Sequence, residues 1–131
     1  MSRYGKGARS ERELIAAFSD LGFSVIRAAG SGNGFSPDIL ALRSDCSFAF
    51  ECKAWKKKRI AIDHGRFEAL KKWMENTGVK TMIAWKIPRM GWRFFELEEM
   101  EKNPKSYSIT LSKALEVGRT IDHLFKKEAS K

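Results

Sequence analysis

The chain of 131 residues has the length of a single domain, 1–131, with room for a modest core. Its make-up, 43% apolar and 31% charged, is globular and excludes a disordered polymer; no apolar run approaches the ~18 residues of a membrane span. Lysine and arginine number 25 against 16 acids, a net charge of +9, which favours a polyanionic partner. The basic start has no apolar signal core behind it, so an intracellular protein is expected. Cys46 and Cys52 lack zinc-site spacing, and a disulfide between them is possible but not required.

In chain order, residues 10–21 predict an amphipathic helix. Leu14, Ile15, Phe18 and Leu21 form one stripe at ~100° per residue. Glu11 falls on that stripe, one turn before Leu14, while Glu13 points to the opposite face. A carboxylate on a buried face is costly unless it is paired or bound to metal. Acids in a first turn also favour the helix dipole, which accounts for Glu13 fully and Glu11 in part. Arg3, Lys6, Arg9 and Arg12 make this end basic. A strand over 23–27 follows. It leads into 29–36, which places three glycines in five residues. Such a loop beside a metal site can close over a phosphate, and a flexible connector is the plainer alternative. It lacks the glycine spacing of nucleotide-binding motifs.

Pro37 pre-sets a turn, and 38–43 is a short apolar strand with Asp38 at its mouth. The next strand, 47–54, alternates Phe48, Phe50, Cys52 and Ala54 with Ser47, Ala49, Glu51 and Lys53. Side chains two apart share a face, so Glu51 and Lys53 project together. With 44–46 as the turn, the two strands form a hairpin that brings Asp38 towards Glu51. Two carboxylates plus waters suit Mg2+, a hard cation. Such an ion polarises a phosphoryl oxygen and helps generate hydroxide. Lys53 is then placed to orient the attacking water or offset charge on the phosphate. An ordinary hairpin with a surface Glu–Lys pair is the alternative. Lys56, Lys57, Lys58 and Arg59 follow at once. Such a run is often a solvated loop or a nuclear address, but here it abuts carboxylates that would otherwise repel DNA.

Asp63 is the expected cap of a helix over 64–76, closed by Thr77 and Gly78. Strands are expected over 79–87 and 92–96, then a short helical turn over 97–101. Ser112 is read as the cap of a last helix through Phe125, before a polar tail, 126–131. The fold class is α/β, with order αβββαββα and a central mixed β-sheet flanked by helices. His64 and His123 are read as ordinary helix residues. Trp55 is the one aromatic residue expected near nucleic acid.

Gly7-Ala8-Arg9-Ser10-Glu11-Arg12, Arg27-Ala28-Ala29-Gly30-Ser31, Pro37-Asp38 and Glu51-Cys52-Lys53, in this order, resemble the archaeal Holliday junction resolvases, a branch of the restriction-endonuclease-like superfamily. The similarity is dense over 5–60 and sparser beyond, although 79–95 also fits. It implies a hydrolase that cuts four-way DNA junctions by paired, metal-dependent hydrolysis in opposite strands. It implies a metal site from Glu11, Asp38 and Glu51, holding one or two Mg2+, with Mn2+ able to substitute. Lys53 becomes the transition-state stabiliser, and Ser31 matches a serine needed for activity. Arg12 and Arg27 match positions tied to DNA cleavage or binding. Lys6, Arg9, Gly30, Ser31, Lys56, Lys57, Lys58 and Arg59 complete the expected DNA contacts, and a nucleoid-associated location follows.

A four-way junction is near-twofold symmetric and needs two opposed cuts, so a C2 homodimer is expected. Phe67, Leu70, Met74, Leu124 and Phe125 are the candidate interface. A sliding-clamp or helicase partner is not readable from these residues. A duplex-cutting nuclease of the same superfamily and a non-catalytic junction-binding protein remain the alternatives. The absence of an added recognition domain speaks against the first. The acids speak against the second, since a pure binder has no need to set them against phosphate.

Overall fold

The computed structural model describes residues 3–28 and 36–124, without the side chains of 3–8. Helix α1 (Arg3–Asp20) leads to strands β1 (Ser24–Arg27), β2 (Ile39–Leu42), β3 (Ser47–Lys53) and β4 (Arg59–Asp63). Helix α2 (His64–Thr77) precedes β5 (Lys80–Ile87) and β6 (Gly91–Glu96). A 3-10 turn (Leu97–Glu99), β7 (Glu101–Lys102), β8 (Ser106–Thr110) and α3 (Leu111–Val117) follow. Five strands form a mixed sheet in the order β1-β2-β3-β5-β6, in which only the β3–β5 pair is parallel. The expected central mixed sheet with flanking helices is present.

Three strands were not foreseen: β4, β8 and β7 form a second, antiparallel sheet. Arg59-Ile60-Ala61-Ile62-Asp63 does alternate, and it buries Ile60 and Ile62. Its first residue had been counted with the basic run, which hid the pattern. The last expected helix is interrupted: α3 ends at Val117, and residues 121–124 are helical again. Thr110, not Ser112, caps α3, accepting the Lys113 N–H at 3.1 Å. The chain leaves the helix at Gly118, and Arg119 bridges to Phe94 of β6. A Cβ on Gly118 would lie 2.3 Å from the Ala114 carbonyl oxygen, so only glycine fits that exit.

Period two divides the central sheet between two cores. Phe48, Phe50, Met82, Ala84 and Phe94 face α1, meeting Leu14, Phe18, Phe23 and Leu124. Ile83, Trp85, Ile87 and Phe95 face the other way, meeting Phe67 and Leu70 of α2 and Ile60, Ile62 and Ile109 of the small sheet. Leu21, placed on the buried stripe by spacing, is instead exposed, because α1 ends one residue before it. Gly22, at φ +92, turns the chain there into β1. Asp63 caps α2 through the Arg66 N–H at 2.7 Å, and Gly78 closes it at φ +74, as the sequence indicated. Both cysteines are free.

Candidate active site

The β2–β3 hairpin sets the site. Ile39 pairs with Phe50, so the next antiparallel position places Asp38 against Glu51. The Asp38 N–H donates to the Phe50 carbonyl at 2.9 Å, and the Ala28 N–H donates to the Asp38 carbonyl at 2.8 Å. The side chain is fixed too: Asp38 Oδ2 accepts the Cys52 N–H at 2.9 Å. Because Phe50 turns to α1, Glu51 and Lys53 turn to the opposite face, that of α2. Glu51 is 6% exposed and has two cations. Arg66 Nη2 donates to its Oε1, and Lys53 Nζ lies 3.8 Å from its Oε2. The same Arg66 nitrogen donates to the Ser36 carbonyl at 2.7 Å.

Glu11 arrives from the opposite layer, on α1. Its side chain is 19% exposed and pairs with Arg27 Nε at 2.6 Å. The Asp38 carboxyl is pushed up to about 6, first by burial and next by the Glu51 charge. The Cys52 N–H pulls it down, Glu11 adds to the rise, and Arg66 offsets part of it. The Cys52 thiol is pushed well above its ordinary value by burial first, then by Asp38, Glu11 and Glu51.

Among the described residues no three His, Cys, Asp or Glu side chains gather closely enough to hold a metal ion. Two of the acids are paired with arginines instead, Glu11 with Arg27 and Glu51 with Arg66. The chemistry of the donors nevertheless fits a divalent cation. All are carboxylate oxygens, the preferred ligands of a hard ion. The Asp38 carboxyl is raised by burial first and then by the charges of Glu51 and Glu11, and a nearby cation would reverse the effect of those charges.

Arg66 was missed in the sequence. A signal was present: Asp63 caps the helix, which puts Arg66 in its first turn, where the dipole disfavours a cation. A cation at that place calls for an anionic partner, and Glu51 is that partner.

The other predicted residues distribute as follows. Arg9 and Arg12 are exposed on α1, and Arg9 lines a cleft of about 290 Å³ with Ser10, Lys56 and Lys86. Lys56, Lys57, Lys58 and Arg59 are all exposed. Trp55 stands between two lysines, with Lys53 Nζ 5.0 Å and Lys57 Nζ 4.8 Å from its ring. The side chain of Lys6, together with Gly30, Ser31 and Phe125, lies outside the described residues. The interface candidates need correction. Phe67, Leu70 and Leu124 are 6%, 0% and 6% exposed and belong to the chain's own cores. Phe67 stacks on Tyr107 at 3.5 Å, so β8 already covers the face that had been offered to a second copy. Met74, half-buried, packs beside that core. His64 Nε2 donates to the Asn103 carbonyl oxygen at 2.8 Å, beside the small sheet.

The sequence matches the family model of the archaeal Holliday junction resolvase (Hjc) over residues 2–129. It is 35% identical over 106 residues to the crossover junction endodeoxyribonuclease Hjc of Archaeoglobus fulgidus, covering 79% of this chain and 78% of that protein. It is 29% identical over 135 residues to that of Sulfurisphaera tokodaii, covering 99% and 92%. The solved structure of Archaeoglobus fulgidus Hjc, a Holliday junction resolvase, superposes with a TM-score of 0.82 at 31% identity, over 91% of this chain and 94% of that one. A bacterial homing endonuclease shares the fold, with a TM-score of 0.61 at 11% identity over 98% and 96% of the two chains. The family model spans nearly the whole length, and the chain belongs to the archaeal Holliday junction resolvase family.

Proposed function

We propose that this protein is a structure-specific endonuclease that resolves four-way DNA junctions by hydrolysing phosphodiesters in two opposed strands, with Mg2+ as the ion. The observation that carries this reading is the meeting of Asp38, Glu51 and Lys53 at the end of one hairpin, among exposed basic residues. Asp38 and Glu51, with Glu11 beside them, would hold the ion. When bound, it would polarise a phosphoryl oxygen and acidify a water, and Mn2+ has the coordination chemistry to substitute.

The chain's own residues supply the rest. Lys53 holds an ammonium beside Glu51, where it can donate to the attacking water or to a non-bridging phosphate oxygen. The Cys52 N–H fixes the Asp38 carboxylate, so the acid does not reorient as charge develops. Arg9, Arg12, Lys56, Lys57, Lys58 and Arg59 hold the arms by phosphate contacts, which read shape rather than base sequence. Gly30, Ser31 and Lys6, assigned by the resemblance alone, and Arg27 are the further residues proposed to contact DNA. Two opposed cuts are made by two copies of the chain related by a twofold axis. Among the described interface candidates, Met74 retains part of its surface.

The test is incubation of the pure protein with Mg2+ on a labelled immobile four-way junction and on linear duplexes of the same arm sequences. Paired nicks in opposite strands of the junction alone are expected. Equal cutting of the duplexes would point to a general nuclease, and tight binding with no cutting, even with Mn2+, to an architectural protein.

A further inference from the structure

Arg66 is placed against its helix's preference and in favour of the acid. Its backbone N–H is held by the Asp63 carboxylate at 2.7 Å, which anchors the first turn of α2. Its side chain then crosses to the hairpin. There it serves Glu51 Oε1 and the Ser36 carbonyl through one nitrogen. The Arg66 and Glu51 side chains are 16% and 8% exposed, so the pair is shielded from solvent. Ion pairs in water contribute little, but removal of one member of a buried pair leaves the other charge uncompensated. Ser36 lies two residues before Asp38, so one guanidinium ties the strand of Glu51 to the segment that delivers Asp38.

We infer that Arg66 is a resident counter-ion, standing at Glu51 in place of a divalent cation, and that the cation gains Glu51 by displacing the guanidinium. The inference rests on the nuclease reading above, which supplies the cation. A carboxylate oxygen engaged by a guanidinium N–H has a lone pair fewer for an ion. Two cations that compete for one oxygen weaken each other reciprocally. In the absence of the ion, Arg66 holds the Glu51 side chain in place, so the site is held ready rather than collapsed. Lys53, on the other oxygen at 3.8 Å, is left to the reaction.

The experiment is a calorimetric titration of the DNA-free protein with Mn2+, on the parent, Arg66→Gln, Arg66→Lys and Lys105→Gln. Arg66→Gln is expected to bind Mn2+ more tightly, by on the order of tenfold. Arg66→Lys, which keeps the charge but loses the planar fork, should fall between it and the parent. Lys105→Gln removes an equal charge at an exposed position outside the site and should stay near the parent. Should Arg66→Gln not fold, Arg66→Lys carries the test, with tighter binding supporting the exchange. Equal or weaker binding in the Arg66 variants overturns it, as does an equal gain in Lys105→Gln, which would reduce the effect to general charge. Absence of Mn2+ binding in every protein would remove the metal site itself, and the exchange with it. Binding by the parent with no gain in the variants removes only the exchange.

Discussion

The carboxylate of Asp38 accepts the backbone N–H of Cys52, the residue that stands between Glu51 and Lys53, at 2.9 Å. The first acid of the site is thereby tied to the main chain that aims the second acid and the lysine. A side chain held this way moves only if the hairpin moves.

Lys53→Ala should separate binding from cutting. The basic surface that grips phosphate is untouched, while the ammonium beside Glu51 is gone. Junction affinity by gel shift is expected to stay within about threefold, and the cleavage rate to fall by roughly 10²-fold or more. Undiminished cutting would remove Lys53 from the chemistry.

Asp38 makes stability depend on pH. Its folded pKa, about 6, lies above the ordinary 3.8, so the native state holds this proton more tightly than the unfolded chain. The stability it lends is full below about pH 3.8 and is lost as pH rises through about 6. The span corresponds to at most roughly 3 kcal/mol. Asp38→Asn keeps an acceptor for the Cys52 N–H and carries no charge. Urea unfolding in metal-free buffer should show it more stable than the parent at pH 8, by about 1–2 kcal/mol, with the difference vanishing near pH 4. Its cutting should be lost. A parent whose stability does not fall between pH 4 and 7 would contradict this assignment.

Cys52 should be inert. Burial and three nearby carboxylates oppose its thiolate, which is the reactive form. Iodoacetamide at pH 8, followed by mass spectrometry of peptides, is expected to leave Cys52 unmodified in the folded protein and to label it in urea.

Phe67→Asp probes the correction made to the interface. With Tyr107 stacked on its ring, a charge at this position strikes the chain's own core. Thermal unfolding should drop by several kcal/mol. Folded, stable monomers from this variant would restore Phe67 to a surface between copies.

Gly118→Ala should also destabilise, by about 1–3 kcal/mol, since its Cβ meets the Ala114 carbonyl. Differential scanning calorimetry checks this. An unchanged melting temperature would show that the exit from α3 can shift.

The hairpin was legible because its signals are local. Period two in residues 47–54 separated Phe50 from Glu51, and Pro37 fixed where Asp38 begins. The stripe on α1 placed Glu11 near the site, although the spacing alone carried the stripe to Leu21, one residue past the helix end. Arg66 was not legible as a partner because it meets Glu51 through the docking of α2, which no local pattern encodes. The small sheet escaped for a similar reason, since β4 pairs with β8 far along the chain. On α2 the apolar stripe of Phe67 and Leu70 was seen, but a stripe does not say what covers it.

The parallel pairing of β3 with β5 has a consequence for the order of assembly. Parallel neighbours need a long crossover, and here the crossover contains β4 and α2. Asp38 and Glu51 come together through a short hairpin, whereas Arg66 arrives only when that crossover docks. Until then the nascent acidic pair lacks its guanidinium and repels phosphate. The acidic pair is thus a product of local folding, while the counter-ion of Glu51 belongs to the least local step.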